Sequence, residues 1–234
     1  MKLLIVKNIT REGPGLLEAV LDEKGIEWEL CDLDAGDALP DIESCSAVVV
    51  LGGPDSANDD TPKIRAELDW IRRALRARLP YLGICLGMQL LVKASGGSVF
   101  RNEVAEIGWR GPDGSQFEFE LTDTGRPDPL FGSLGDRLPI FQLHGETVGL
   151  TPEMKLLATG RFCRVQAVRV GDNAYGLQGH FELTPEMFNV WLREDADLAK
   201  TDPAPLLRDY ESVRADYETT GRRLLLNFLD IVSG

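Results

Sequence analysis

The sequence is short of positive charge and of long apolar segments. Its 234 residues include 25 Lys and Arg against 38 Asp and Glu, which gives a formal net charge of −13. This balance provides no basic surface for nucleic acid or for an anionic membrane, and we interpret it as a surface that keeps the protein in solution. No apolar run is long enough to span a bilayer, and the first ten residues do not form a secretory signal.

Cysteine and histidine are also scarce. The four cysteines are Cys31, Cys45, Cys85 and Cys163. They show no C-x-x-C spacing, which argues against a zinc site and a disulfide framework and favours a reducing compartment. We therefore expect a cytoplasmic protein with no metal site. Only two histidines, His144 and His180, could serve as a general base.

The first hundred residues alternate between strand and helix patterns. Four short apolar runs predict strands at 3–7, 26–31, 47–53 and 80–84. Helical spacing follows the first, third and fourth of these runs, and Thr61-Pro62 forms a typical helix start. Such alternation predicts a doubly wound, mostly parallel, flavodoxin-like sheet with helices on both faces.

The remainder of the chain has a different character. Residues 98–178 contain short alternating runs with little helical pattern, which predicts an added layer of antiparallel strands. The end of the chain is helical, with Gly221 inside the pattern, and this glycine favours a pair of helices over a coiled coil. We expect one domain over 1–190 and a helical extension over 191–234, packed on that domain.

The stretch "GICLG" (83–87) lies between a predicted strand and a predicted helix. It has the form of a nucleophile elbow in which Cys85 replaces serine, and glycines at 83 and 87 remove side chains that would collide in a sharp turn. The N-terminus of the following helix favours a thiolate at Cys85. The alternative interpretation is a packed cysteine at a tight strand–helix turn.

A cysteine nucleophile needs a base, and His180 lies at the end of a predicted strand with Glu182 two residues later. Residues i and i+2 of an extended segment point to the same side, so Glu182 can orient the imidazole of His180. Cys85, His180 and Glu182 would then act as nucleophile, base and orienting group. Taken alone, a His-x-Glu pair is commonly only a surface hydrogen bond.

Four segments carry a family resemblance: "VVLGGPDS" (49–56), "YLGICLGMQLL" (81–91), "LHGETV" (143–148) and "GLQGHFELT" (176–184). In this order they resemble the class I, triad-type glutamine amidotransferases, in particular the GMP-synthase-like domains. The resemblance extends over roughly residues 1–190. It implies an enzyme that hydrolyses the side-chain amide of glutamine to glutamate and ammonia.

The resemblance also implies roles for individual residues. Cys85 would form a γ-glutamyl thioester, His180 would transfer the protons, and Glu182 would orient His180. The backbone N–H groups of Gly53 and Leu86 would form the oxyanion hole.

The substrate-binding positions implied by the resemblance are Gly52, Gln89, His144 and Gly145. This chemistry requires no cofactor.

The sequence departs from the family pattern beside the proposed base. The family commonly has an aromatic residue before this histidine, whereas here Gly179 precedes His180 and Phe181 follows it. We expect Phe181 to cover the face of His180 that the aromatic residue covers in other members. Glu146 stands where an aspartate is frequent.

The physiological reaction stays open at this point. An amidotransferase normally delivers ammonia to a synthetase, and residues 186–234 contain no phosphate-binding glycine loop or nucleotide motif. One interpretation is a glutaminase subunit that feeds an unseen ammonia-accepting synthetase. Another is a stand-alone peptidase that hydrolyses γ-glutamyl peptides or amides. The segments "EGPG" (12–15) and "EIGW" (106–109) resemble segments of such stand-alone members. A third is a non-catalytic binding or regulatory protein. The oligomeric state is open.

Overall fold

The structure is a computed structural model that describes residues 1–234. The strands are β1 (Lys2–Lys7), β2 (Glu27–Asp32), β3 (Ala47–Val50), β4 (Tyr81–Ile84), β5 (Ser98–Gly108), β6 (Glu118–Leu121), β7 (Arg137–Pro139), β8 (Gln142–Gly149), β9 (Lys155–Thr159), β10 (Ala167–Val170) and β11 (Ala174–Leu177). The helices are α1 (Leu16–Lys24), α2 (Pro62–Arg76), α3 (Leu86–Ala94), α4 (Pro185–Glu194) and α5 (Pro203–Ser233).

Nine strands form one sheet in the order β2-β1-β3-β4-β11-β10-β9-β6-β7. The pairs from β2 to β11 are parallel, and the pairs from β11 to β7 are antiparallel. Strands β5 and β8 form a separate antiparallel ribbon. The predicted fold class is confirmed: a mostly parallel, doubly wound centre carries added antiparallel strands. The loops after β1, β3, β4 and β11 all leave the same edge of the sheet, where ligands bind in open α/β folds.

Alternation along β1 shows how the two faces of the sheet are covered. Leu3 and Ile5 pack into a core with α1 and α5, whereas Leu4 and Val6 pack into a core with α2 and α3. Successive side chains of a strand point to opposite faces, so a strand with helices on both faces is apolar throughout. All four residues of β3 are buried for this reason.

The predicted helix start at Thr61-Pro62 is confirmed, and Thr184-Pro185 begins α4 in the same way. The Thr61 hydroxyl accepts a hydrogen bond from the backbone N–H of Ile64 at 3.2 Å, and Thr184 accepts one from Met187 at 3.3 Å. Each threonine satisfies one of the N–H groups that a helix start leaves without an intrahelical acceptor. No helix combines the length and the apolarity needed to cross a membrane.

The predicted pair of C-terminal helices is wrong. Residues 203–233 form one continuous helix, α5, in which Gly221 is an interior position. A Cβ atom at Gly221 would lie 2.3 Å from the backbone oxygen of Phe181, so glycine here permits close packing of the helix rather than breaking it. The domain boundary near residue 190 stays a prediction.

Candidate active site

Cys85 occupies a strained turn between β4 and α3. Its backbone has φ 51° and ψ −107°, a region that non-glycine residues rarely adopt. A Cβ atom at Gly83 would lie 2.4 Å from the carbonyl of Gly87, and one at Gly87 would lie 2.1 Å from the oxygen of Val50. Both glycines are therefore required by the close approach of backbone to backbone.

The glycines that follow β3 lie directly against this turn. A Cβ atom at Gly52 would be 3.4 Å from Cys85 Cβ, and one at Gly53 would be 3.4 Å from Leu86 Cδ2. Leu86 is the first residue of α3, and the first N–H groups of a helix have no intrahelical acceptor. The structure thus brings Gly52, Gly53 and Leu86 together beside Cys85.

His180 and Glu182 form a buried pair beside Cys85. The imidazole Nδ1 of His180 donates to Glu182 Oε1 at 2.6 Å, and the two residues are 1% and 2% exposed. Burial by itself would lower the pKa of His180, but the Glu182 carboxylate, to which Nδ1 is hydrogen-bonded, and the neighbouring Cys85 outweigh it and raise this pKa well above its usual value. The Glu182 carboxylate therefore stabilises the imidazolium form of His180 relative to the neutral form.

The expected position of Phe181 is wrong. Phe181 packs into the core against Phe119, with ring centroids 5.0 Å apart, because adjacent residues of an extended segment point to opposite sides. The ring of His180 is instead covered by Trp191 of α4, edge to face at 4.9 Å. Glycine at 179 also has a steric cause, since a Cβ atom there would lie 2.2 Å from Ile140 Cγ1.

Helix α5 holds the backbone of the His180 segment. The hydroxyl of Tyr217 donates to the carbonyl oxygen of His180 at 2.9 Å and accepts from the N–H of Leu183 at 3.1 Å. All three residues are buried. The end of the chain therefore fixes the segment that carries the imidazole and its carboxylate.

Two glutamines line the sulfur side of the site. Gln178 Nε2 lies 3.8 Å from Cys85 Sγ, and Gln89 Nε2 is 3.5 Å from Gln178 Oε1 and 3.4 Å from the oxygen of Glu146. Sequence reasoning singled out Gln89 but missed Gln178. The available signal was its position two residues before His180, which places both side chains on the same side of an extended segment.

The side chain of His144 is buried, and both of its ring nitrogens have hydrogen-bonding partners. Its Nδ1 donates to the backbone oxygen of Glu146 at 2.9 Å, and its Nε2 lies 2.8 Å from Glu106 Oε2. Gln166 also donates to that Glu106 oxygen at 2.8 Å. The ring therefore braces the loop, and the exposed Gly145 beside it faces a cavity.

The same interior cluster offers three potential metal ligands. Donor atoms of Glu106, His144 and Cys163 all lie within 4.8 Å of one another. Each already has a hydrogen-bonding partner, and Cys163 Sγ is 3.1 Å from Thr147 Oγ1. A metal ion would have to displace these hydrogen bonds to bind here.

The carboxyl group of Glu12, to which the sequence analysis assigned no role, also reaches the site. Glu12 follows β1 and is 6% exposed, and its Oε2 is buried without a hydrogen-bond partner. Burial raises the pKa of Glu12 to about 7, although the charge of His180 opposes this increase. No sequence pattern indicates this placement, because it depends on two loops meeting at the sheet edge.

An open cavity of about 930 Å³ is lined in part by the loop at residues 143–145. Leu143, His144 and Gly145 line one part, and the ion pair of Arg11 with Asp195, at 2.9 Å, lines another. The backbone oxygen of Leu143 is 3.8 Å from Cys85 Sγ, so Leu143 contacts both the thiol and the cavity, although Cys85 itself does not line the cavity. Taken together, a thiol, a buried histidine–carboxylate pair and nearby backbone N–H groups can perform acyl transfer.

Comparisons with known proteins agree with this geometry. The chain is 30% identical to the glutamine amidotransferase-like protein YfeJ of Salmonella typhimurium, over 98% of this chain and 96% of that protein. It is 33% identical to a glutamine-hydrolysing GMP synthase subunit of Methanothermobacter thermautotrophicus, over 58% of this chain and 64% of that one. It is 28% identical to gamma-glutamyl peptidase 3 of Arabidopsis thaliana, over 76% of each.

A solved structure and a family model point the same way. The crystal structure of a glutamine amidotransferase from Thermotoga maritima superimposes with a TM-score of 0.86 at 29% identity, covering 100% of this chain and 99% of that one. The model of the family "Glutamine amidotransferase class-I" matches residues 16–195. The chain therefore belongs to the class I glutamine amidotransferase family.

Proposed function

We propose that this protein hydrolyses the γ-amide of glutamine through a covalent intermediate on Cys85. Cys85 gives its proton to His180 and attacks the amide carbon as a thiolate, and the imidazolium of His180 then transfers that proton to the leaving nitrogen, which departs as ammonia. His180 then takes a proton from water, the hydroxide cleaves the γ-glutamyl thioester, and glutamate is released with the thiol restored. The observation that carries the proposal is the buried His180–Glu182 pair beside a cysteine held at positive φ.

In this mechanism Glu182 orients His180 through the 2.6 Å hydrogen bond to Nδ1. The N–H groups of Gly53 and Leu86 receive the oxyanion that develops on the amide oxygen, and the positive end of α3 supports it. Gly52 and Gln89 contact the γ-glutamyl chain. The loop at His144 and Gly145 holds the α-amino and α-carboxylate groups through its backbone, since the ring of His144 is already hydrogen-bonded.

A second candidate is hydrolysis of γ-glutamyl peptides or amides. The cavity of about 930 Å³, which shares Leu143 with the surroundings of the thiol, favours it, because this volume lies at the upper end of the range for ligands much larger than glutamine. The similarity to a protein named gamma-glutamyl peptidase supports the same candidate. The similarity to a GMP synthase subunit supports a glutaminase that delivers ammonia to a synthetase partner. The cytoplasmic location stays a prediction.

Steady-state kinetics on the purified chain tests these candidates. We expect ammonia release from glutamine by the wild type and by Cys31→Ala, which removes a buried cysteine whose sulfur contacts Ala38, and none by Cys85→Ala. Hydrolysis that survives Cys85→Ala contradicts the proposed nucleophile. A kcat/KM for a γ-glutamyl dipeptide well above that for glutamine favours the peptidase, and activity that depends on an added synthetase favours the ammonia-delivering glutaminase.

A further inference from the structure

The loop that carries Glu12 is locked to the segment that carries His180. The N–H of Leu16 donates to the backbone oxygen of Glu182 at 2.8 Å, and Gly15 adopts φ 52°. A Cβ atom at Gly15 would lie 2.0 Å from the same oxygen of Glu182, so only glycine allows this approach. The position of Glu12 relative to His180 is therefore set by backbone contacts and not by the Glu12 carboxyl itself.

The carboxyl of Glu12 meets the reactive groups at one point. A Cβ atom built on Gly52 would lie 2.6 Å from Glu12 Oε2, 3.1 Å from His180 Cε1 and 3.4 Å from Cys85 Cβ. All three groups therefore surround a space the size of a methyl group. The Glu12 oxygen that faces it has no hydrogen-bond partner and is shielded from solvent. A buried polar atom without a partner is costly, which calls for a functional explanation.

The charges around Glu12 are mixed. His180 and Glu182 face it from the segment after β11, Arg11 precedes it, and Asp195 lies beyond the end of α4. Arg11 is already paired with Asp195 at 2.9 Å, and Glu182 with His180. Cys85 faces the same space from the start of α3. If Glu12 were ionised, its negative charge and any negative charge formed on Cys85 would face each other across this small space.

We propose that Glu12 is a positioning residue that must hold a proton for Cys85 to be a thiolate. This inference rests on the proposed role of Cys85 as the nucleophile. In the competent state Glu12 is a neutral acid, His180 an imidazolium and Cys85 a thiolate. In the competing state one proton has moved from Glu12 to Cys85, which leaves a thiol facing an imidazolium that cannot accept its proton. Only this proton moves, and the total charge is unchanged.

Alkylation of Cys85 by iodoacetamide tests this coupling, because the rate follows the thiolate fraction and requires no turnover. The rate is measured on the Cys85 peptide by mass spectrometry between pH 5.5 and pH 8.5. Wild type and Glu12→Gln should react alike at pH 5.5, where both side chains are neutral. At pH 8 we expect Glu12→Gln to react faster than wild type, by up to about tenfold, because only the wild type carries a like charge near Cys85 that disfavours the thiolate.

Glu67→Gln is the matched control. Glu67 is also buried, at 1% exposed, but it contacts Asn8 and is not among the groups that face His180. Its variant should follow the wild-type alkylation profile at every pH. If Glu12→Gln does not fold, Glu12→Ala can replace it, because alanine also removes the negative charge and Oε2 has no hydrogen bond to lose. The alkylation profile of Glu12→Ala should then diverge from that of the wild type in the same way.

Two results would overturn the inference. One is an identical pH profile in wild type and variant, and the other is a rate difference that is the same at every pH, which would report packing alone. The proposed hydrolysis is tested separately by ammonia release. If the two alkylation profiles diverge but the wild type releases no ammonia, the role of Glu12 stands and the proposed hydrolysis is refuted. If the wild type releases ammonia but the profiles do not diverge, the hydrolysis stands and the role of Glu12 is refuted.

Discussion

Replacing Glu67 by glutamine should make the protein more stable above neutral pH. Glu67 lies on α2 with its side chain turned into the core, where Oε1 accepts from Asn8 Nδ2 at 3.1 Å and Oε2 has no partner. Burial raises the pKa of Glu67 from its usual 4.5 to about 7. Glutamine keeps the acceptor for Asn8 and has no charge to bury.

The sign follows from proton binding. As pH rises from 4.5 to 7 the unfolded chain loses the Glu67 proton first, so the carboxyl increasingly destabilises the folded state, and above pH 7 this cost is constant. Each pH unit of pKa difference is worth about 1.4 kcal/mol, which gives about 3 kcal/mol at pH 8 and under about 1 kcal/mol at pH 5.

Urea unfolding of wild type and Glu67→Gln at pH 5 and pH 8 measures this difference directly. The variant should gain roughly 2 kcal/mol relative to wild type between the two pH values. A constant offset would report the buried amide, whose NH2 group takes the place of the unpartnered Oε2, and only the change with pH reports the carboxyl. A stability difference that is equal at both pH values would refute the reasoning.

Three further predictions concern the site and its support. His180→Ala should lower kcat by about 10²–10⁴-fold, whereas His144→Ala should mainly raise KM, and the reverse ranking in steady-state kinetics would exchange their roles. Gly221→Ala forces a Cβ atom to within 2.3 Å of the Phe181 oxygen and should cost about 1–3 kcal/mol in urea unfolding; an unchanged midpoint would contradict the close packing of α5. Phe181→Ala should cost about 3–5 kcal/mol of stability while the folded fraction keeps its kcat, and a loss of kcat at full stability would return Phe181 to the site.

Much of the fold was predictable because local patterns and topology agree. The apolar runs of β1, β3 and β4 show no alternation, as strands covered on both faces require. The "GICLG" stretch predicted the cysteine turn because its two glycines have a steric cause that depends only on the turn itself. The pairing of His180 with Glu182 was predictable because it follows from a spacing of two in an extended segment.

Apart from Phe181 and Gln178, whose placement follows from alternation beside His180, the wrong and missing predictions depend on contacts between different segments of the chain. Gly221 resembles a helix breaker, but its role is set by the Phe181 backbone. Trp191 covers His180 from α4, and no spacing rule links a helix residue to a strand eleven positions earlier. Glu12 meets Cys85 and His180 only because three loops leave the same edge of the sheet.

The hydrogen bonds of Tyr217 have a consequence for the order in which the protein assembles. Helix α5 follows every strand and every other helix in the chain, so it is synthesised after all of them. A chain that is still being made can therefore already contain Cys85, His180 and Glu182 while the His180 carbonyl lacks its partner from α5. Contacts that close long segments also form late in folding, because they carry the largest loop entropy. The reactive cysteine is thus present early, but the His180 carbonyl gains its hydrogen bond from Tyr217 only when α5 docks.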